Sequence, residues 1–189
     1  RSGVAFGTSG ARGLVTAMTD QVCFTYTCAF LQHLSAIGQF APGTHVAIAG
    51  DLRPSTPRII AACAAAIRHM GGEVDHGGFV PSPAVAAYGF ARGIPSIMVT
   101  GSHIPDDRNG IKFNRTDGEI LKPDEMAMRA QSVELPDLFD GAGMLSVAAD
   151  AGPVIDMATP YIARYVDAFG PDALAGLKLG IYEHSACLL

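Results

Sequence analysis

The chain has 189 residues, 49% of them hydrophobic, so it can bury a core, and this composition excludes a disordered or fibrous protein. Its 13 basic and 18 acidic residues give a formal net charge of −5, which argues against a nucleic-acid partner and means that local charges must hold any anionic ligand. The longest strongly apolar stretch, residues 59–67, is far shorter than the roughly 18 residues needed to span a bilayer, and the chain does not begin with a signal-peptide pattern. We therefore expect a cytoplasmic protein without a membrane partner.

The cysteines fit neither a metal site nor a disulfide framework. Cys63 lies in an alanine-rich segment, and Cys23, Cys28 and Cys187 show no regular spacing. We expect all four to be reduced thiols.

The first part of the chain alternates between strand-like and helix-like patterns. Residues 44–49 form an apolar run that is typical of a buried strand, and Ser55 or Thr56 then caps a helix with Pro57 in its first turn and Gly71 beyond its end. The next predicted elements are a strand over 73–76, a helix over 83–92 and a strand over 96–100. This β-α-β-α-β order predicts an α/β fold with a mixed, mostly parallel sheet covered by helices.

The second part of the chain predicts fewer elements and a domain boundary. A hairpin pairs 111–113 with 119–121, a helix starts near Pro123, and 135–153 is a linker. An amphipathic helix over 155–169 and a strand over 176–182 would begin a second α/β domain. One strand cannot form a domain. We therefore expect a first domain over 1–152 and a truncated second domain over 153–189.

The stretch VTGSHIPDDRNGIKF, residues 99–113, places polar residues directly after the third predicted strand. In an open α/β sheet, ligands bind beyond the carboxyl ends of the strands, so Ser102 has the position of a site residue. A serine hydroxyl needs a base or an activated electrophile in order to react near neutral pH, and His103 and Lys112 are the nearby candidates. Gly101 permits a close approach between backbone and ligand. An ordinary polar loop with a capping serine is the alternative from these residues alone.

A second polar segment, FGTSGARG at residues 6–13, combines three glycines with two hydroxyl residues and one arginine. This composition suits a backbone nest around a phosphate, with the guanidinium of Arg12 as a clamp. Alone, so short a motif is a weak signal.

Three segments, FGTSGARG, GDLRPSTP and TGSHIPDDRNGIKF, occur in this order along the chain. Together they resemble the first domain of the α-D-phosphohexomutases, the phosphomannomutase and phosphoglucomutase superfamily. The resemblance covers about residues 4–125, and YEHSA at 182–186 resembles the opening of the family's second domain. The chain departs from the family at Gly101, where the commonest loop has alanine, and at Ile104, where it often has asparagine.

The resemblance implies roles for four catalytic residues. Ser102 matches the serine that carries a phosphoryl group, and His103 matches its usual neighbour in the loop. Lys112 matches the proposed general base and acid, and Arg12 matches an arginine near the reacting groups.

The resemblance also implies the surroundings of the serine. Thr8, Ser9 and Gly101 would line the approach of the phosphorylated substrate. Asp51 and Arg53 match a family motif whose arginine supports the loop, and a surface ion pair at the entry of the helix is the alternative.

The activity implied by the resemblance is the interconversion of hexose 1-phosphate and hexose 6-phosphate. Among the enzymes of the family, we expect a phosphomannomutase. The interconversion proceeds through phosphoserine and a hexose 1,6-bisphosphate, which also serves as activator. In the family, Mg²⁺ binds the seryl phosphate and an aspartate-rich loop of the second domain. That loop is absent here, so Ser102, through its phosphate, is the one metal position expected in this chain. Asp106 and Asp107 are expected to shape the loop instead of binding the ion.

Two other functions remain open. A serine hydrolase would also use Ser102 and His103, but no G-x-S-x-G elbow is present, and adjacent residues do not easily form a nucleophile–base pair. A non-catalytic phosphosugar-binding or assembly fragment is the stronger alternative, because the chain lacks the metal loop and the later sugar-selecting domains. We expect the fragment to be inactive alone and to self-associate, and the choice among mannose, glucose and glucosamine stays open.

Overall fold

The computed structural model describes residues 3–7 and 10–183, and this part of the chain contains one six-stranded sheet with helices on both faces. The strands are β1 (Ala5–Phe6), β2 (Gly10–Leu14), β3 (His45–Gly50), β4 (Glu73–Phe79), β5 (Ser96–Val99) and β6 (Arg108–Asn114). The helices are α1 (Asp20–Ala36), α2 (Thr56–His69), α3 (Ser82–Arg92), α4 (Lys122–Arg129) and α5 (Ala158–Phe169).

The sheet has the strand order β1-β2-β6-β5-β3-β4 and confirms the predicted mixed α/β fold. Strand β3 pairs in parallel with β4 and β5, whereas β6 runs antiparallel to both β5 and β2, and β1 runs antiparallel to β2. Strands β2 to β5 therefore point in one direction, and their carboxyl ends share one edge of the sheet. Parallel pairing is confined to β3, β4 and β5, where helical crossovers connect the strands.

The alternation of side chains along the central strands explains the helical layers. In β3, Val46 and Ile48 face the larger core with α1 and α2, whereas Ala47 and Ala49 face α3. Successive side chains of a strand point to opposite faces, so the bulkier residues cover one side and the alanines admit a close helix on the other. All four of these side chains are fully buried.

The structure adds elements that the sequence analysis did not predict. These are the helix α1 and the two strands β1 and β2, so the glycine-rich segment contributes a sheet strand as well as a loop. Thr19 caps α1 by accepting a hydrogen bond from the Val22 N–H at 3.3 Å. The predicted strands and helices of the β-α-β-α-β region are confirmed, with β4 three residues longer than expected.

Two predictions about the second part of the chain need correction. The hairpin is confirmed only at its turn: Asn114 and Glu119 form an antiparallel bridge and the Ile120 N–H donates to the Phe113 carbonyl at 3.3 Å, but residues 119–121 form no regular strand. The predicted strand over 176–182 is wrong, because residues 176–183 contain no strand in the described part of the chain.

The segment before α5 lies against the sheet edge. The Ile155 N–H donates to the His76 carbonyl of β4 at 2.7 Å, and Met157 is buried against Gly77. The carboxylate of Asp156 accepts hydrogen bonds from the Ala158 and Thr159 N–H groups, which satisfies two donors at the start of α5. The predicted helix over 155–169 is thus confirmed from Ala158 onward. The domain boundary at 152 stays a prediction.

The cysteine prediction is confirmed for the described part of the chain. Cys23, Cys28 and Cys63 are free and buried, and burial raises the pKa of both Cys28 and Cys63 to about 12. Cys187 lies outside the described residues. None of the described helices combines the length and the apolar character needed to cross a membrane.

Candidate functional site

Ser102 lies in a loop directly after β5, at the sheet edge where the parallel strands end. Its φ angle is 55°, which makes it the one non-glycine residue with positive φ among those described. Its backbone N–H donates to the Thr100 hydroxyl at 2.9 Å, and its side chain is exposed. A non-glycine residue rarely adopts this left-handed conformation, so the loop around it has to hold it.

His103 lies beside the serine hydroxyl. Ser102 Oγ and His103 Nδ1 are 3.2 Å apart, so the expectation that these adjacent residues do not easily pair is wrong. Within the described residues, no carboxylate orients the histidine from the other side. The arrangement therefore lacks the third group of a hydrolase triad.

Asp51, at the end of β3, connects the loop to helix α2. One carboxylate oxygen accepts from the Thr100 hydroxyl at 2.9 Å and the Gly101 N–H at 3.1 Å. The other oxygen accepts from the Thr56 hydroxyl at 2.7 Å and the Arg53 N–H at 3.1 Å. Asp51 thus holds the first residues of the serine loop against the N-terminus of α2.

Arg53 supports the rest of the loop, as the resemblance implied. Its side chain is only 10% exposed, and its Nε lies 3.4 Å from Asp51. Its guanidinium donates to backbone carbonyls of the loop. The ion pair with Asp51 is thus present, but it is mostly buried and accompanies the contacts of Arg53 with the loop.

Asn109 is a fully buried contributor that the sequence analysis missed. Its Nδ2 donates to the Ser55 and Thr56 hydroxyls at 2.9 and 3.1 Å, and its Oδ1 accepts from the Gly110 N–H at 2.8 Å. It thereby fixes the start of β6 against α2. The N-G-x-K spacing contained this residue, but its partners lie more than fifty positions away in sequence.

Arg12 and Lys112 lie on neighbouring strands and share one face of the sheet. Arg12 is opposite Gly110 and Lys112 is opposite Gly10, so the two cations are diagonal neighbours with a glycine facing each. Both are half-buried, and within residues 3–7 and 10–183 neither side chain has a hydrogen bond or an ion pair. Two unpaired cations on one face suit a phosphate.

Thr100 links this cationic face to the serine loop. It lines one depression with Arg12 and Lys112, and it also lines the adjoining cleft with Ser102 and Arg53. The structure therefore places the predicted catalytic residues around one edge of the sheet. Helix α3 covers β3 and β5 on this face, which leaves the cationic part beside it open.

The remaining predicted residues have simpler positions. The Asp106 side chain is 93% exposed and accepts from Arg53 at 3.2 Å, and Asp107 pairs loosely with Arg108 at 4.0 Å. Both fit a loop-shaping role. Thr8 and Ser9 lie outside the described residues. The described part of the chain contains no cluster of three or more histidine, cysteine, aspartate or glutamate residues that could hold a metal ion.

Comparisons with known proteins agree with this arrangement. A family model described as Phosphoglucomutase/phosphomannomutase, alpha/beta/alpha domain I, matches residues 3–134. The chain is 43% identical over 186 residues to a phosphomannomutase from Salmonella muenchen, an alignment that covers 98% of this chain and 37% of that protein. It is also 43% identical over 185 residues to a phosphomannomutase from Sinorhizobium fredii, covering 97% of this chain and 39% of that protein.

A solved structure shows the same fold. The crystal structure of a phosphoglucomutase/phosphomannomutase family protein from Burkholderia thailandensis superposes with a TM-score of 0.66 at 25% identity, covering 86% of this chain and 35% of that chain. This chain spans less than two-fifths of the length of each of these three relatives.

Proposed function

Because the chain belongs to the phosphoglucomutase/phosphomannomutase family, we propose that it provides the phosphoserine-carrying part of a phosphomannomutase. The observation that carries the proposal is the exposed Ser102 at the carboxyl end of β5, beside a sheet face on which Arg12 and Lys112 have no ion pair within the described residues. The mannose preference is supported by the two phosphomannomutases that match along nearly the whole chain.

In the proposed reaction, a phosphoryl group moves from Ser102 to a free hydroxyl of a hexose monophosphate. The bond between Ser102 Oγ and phosphorus breaks and Oγ takes up a proton, while the sugar hydroxyl loses its proton and its oxygen bonds to phosphorus, so that a hexose 1,6-bisphosphate results. After the bisphosphate reorients, its other phosphoryl group returns to Ser102. The net change is 1-phosphate to 6-phosphate isomerisation, and the same bisphosphate would prime the enzyme.

The residues of the site divide this task. As an uncharged amine, Lys112 would accept the proton of the attacking sugar hydroxyl, and in the reverse step its ammonium form would return the proton to the departing oxygen. Arg12 would stabilise the charge on the phosphoryl oxygens, since such transfers depend chiefly on positioning and electrostatic stabilisation. His103 is within hydrogen-bonding distance of Ser102 Oγ and would orient the hydroxyl. Gly101, and Thr8 and Ser9 from the segment before β2, would line the phosphate path.

Magnesium is the cofactor implied by the family, but the described residues do not by themselves fit a magnesium site. The ion prefers oxygen ligands in octahedral geometry, and this part of the chain gathers no ligating cluster. A phosphate on Ser102 could supply one ligand.

The alternative is a phosphosugar-binding fragment without turnover, and the limited share of each relative that the chain covers favours it. A mutase assay distinguishes the enzyme from the binding fragment. It compares residues 1–189 with a protein of the relatives' full length that contains this chain, called the natural-length protein below. We expect turnover only in the natural-length protein, because catalysis would need groups beyond those described.

The test of the proposed function is to phosphorylate the natural-length protein with a hexose 1,6-bisphosphate. Intact-mass measurement and peptide mapping should find one added phosphate, on Ser102. Ser102→Ala should abolish the addition, whereas Ser146→Ala, which changes an exposed serine in another part of the chain, should retain it. Phosphate that persists in Ser102→Ala would refute the proposal.

A further inference from the structure

We propose that Gly101 and Arg53 act as one positioning unit for Ser102. Because Gly101 has no side chain, the guanidinium of Arg53 fits beside it and holds the serine loop. This inference rests on the proposed function, and it concerns residues that hold the serine without touching the substrate.

The two terminal nitrogens of Arg53 are engaged by the serine loop. A guanidinium has five N–H groups. Its Nη1 donates to the Pro105 carbonyl at 2.8 Å and the Arg108 carbonyl at 3.2 Å. Its Nη2 donates to the Ile104 carbonyl at 2.6 Å and the Ser102 carbonyl at 3.3 Å, and Nε faces Asp51. Arg53 can therefore act on the reaction only through the loop.

These contacts hold Ser102 from both sides. Its carbonyl accepts from Arg53, and its N–H donates to the Thr100 hydroxyl, which in turn donates to Asp51. Asp51 and Arg53 also form an ion pair with each other. The N–H and the carbonyl of Ser102 are therefore both connected, through hydrogen bonds, to this ion pair. The left-handed conformation of the serine is thus held by one connected network of hydrogen bonds.

Gly101 is required for space and not for conformation. It is absent from the glycines with positive φ, so its backbone suits other residues. An ideal Cβ at this position, however, would lie 2.3 Å from both Cζ and Nε of Arg53, far inside a van der Waals contact. The guanidinium cannot yield without giving up loop carbonyls. This loop therefore depends on glycine at a position where the commonest family loop has alanine.

The experiment compares Gly101→Ala and Arg53→Gln in the natural-length protein. We expect each to lower kcat by about 100-fold, the scale of an ångström-sized displacement of a reacting group, with KM changed by less than about threefold. Because the residues form one unit, the double variant should lose little more than either single variant. Arg53→Lys, which keeps the charge but loses the planar fork, serves if Arg53→Gln does not fold.

Matched controls separate this role from general destabilisation. Gly118→Ala adds a methyl group with nothing within 4 Å, and Arg108→Gln removes a cation at the start of β6 whose side chain pairs with Asp107 at 4.0 Å. Both should keep wild-type kcat. Hydrogen exchange of the amides at 101–108 should accelerate in Gly101→Ala and Arg53→Gln and stay unchanged in the controls.

The outcomes distinguish this inference from the proposed function. If wild-type protein turns over and Gly101→Ala keeps its kcat, the inference is overturned and the function stands. If wild-type protein neither accepts phosphate nor turns over, the proposed function fails. Hydrogen exchange then still tests the inference: unchanged exchange in Arg53→Gln contradicts a positioning role for Arg53, and faster exchange supports it.

Discussion

Arg12 and Lys112 keep their cationic side chains without ion pairs in the described part of the chain, although acidic residues outnumber basic ones by 18 to 13. Arg53 and Arg58, by contrast, are engaged by buried or half-buried carboxylates. An unpaired cation on a half-buried face gains little for folding and attracts an anion from solution. This difference separates the cations that hold the fold from those available to a substrate.

Replacing Arg12 or Lys112 by alanine should therefore affect turnover much more than stability. In the natural-length protein we expect kcat/KM to fall by roughly two or more orders of magnitude, with the melting temperature nearly unchanged. Steady-state kinetics and thermal denaturation measure both, and Arg164→Ala, an exposed cation on α5, is the control. Wild-type turnover in both variants would remove these residues from the mechanism.

The sequence allowed the serine loop and its cations to be predicted, because each lies in a short contiguous motif. It did not reveal the network beneath them. The Asp51 contact with Thr100 joins residues 49 positions apart, and the Asn109 contact with Thr56 joins residues 53 apart. Such pairings follow from the way in which β3, β5 and β6 are brought together, and no local pattern contains them.

At the level of elements, the predictions succeeded where an element's own residues determine it. Strand β3 and helices α2 and α3 have apolar runs and clear end signals, and they form as expected. Helix α1 was missed because its apolar and buried residues are spread widely around it, so no polar face marks the helical period. The hairpin formed only at its turn, and the strand over 176–182 was wrong, because strands depend on neighbours that the local sequence does not specify.

Helices α1 and α4 are joined by a buried carboxylate whose contribution depends on pH. Asp124 of α4 accepts from His33 of α1 at 2.8 Å and from the Leu121 N–H at 2.7 Å. Burial opposes ionisation, but these hydrogen bonds and the charge of Arg115 outweigh it and hold the pKa of Asp124 below its usual value of 3.8. A carboxyl with a lowered pKa in the folded state stabilises the fold above its unfolded pKa and loses that effect as the pH falls through the folded one.

We therefore expect Asp124→Asn to lower the free energy of unfolding at pH 7 by roughly 1–3 kcal/mol, the scale of a hydrogen bond to a charged group. The difference from wild type should stay constant down to about pH 4 and shrink below it. Urea denaturation over a pH series measures this, with Asp117→Asn, a 59% exposed partner of Arg115, as the control. A difference that is independent of pH would contradict the assignment.

At the scale of the whole molecule, the apolar surface is unevenly distributed. Helix α5 has no buried residue, and Ile162, Tyr165, Val166 and Phe169 lie on one face at helical spacing, 46–70% exposed. The preceding helices bury most of their apolar residues in the core. An apolar face of this kind in water favours association.

Residues 1–189 alone should therefore associate as concentration rises, as the sequence led us to expect. The double variant Val166→Lys/Phe169→Lys should weaken association by at least about tenfold, since it places charges in the apolar contact. Val147→Lys, at a 78% exposed position away from α5, should not. Size-exclusion chromatography with light scattering over a concentration series measures this, and a parent chain that stays monomeric throughout would contradict it.

The contact of Ile155 with His76 also limits how molecules of this protein can join. Fibrous polymerisation by strand addition needs a long, uninterrupted row of free backbone groups at a sheet edge. One outer strand, β1, has only two residues. In the other outer strand, β4, the carbonyl of the middle residue, His76, already accepts a hydrogen bond from Ile155. Neither edge offers a template for an incoming strand, so copies that meet would adhere through side chains and separate again on dilution.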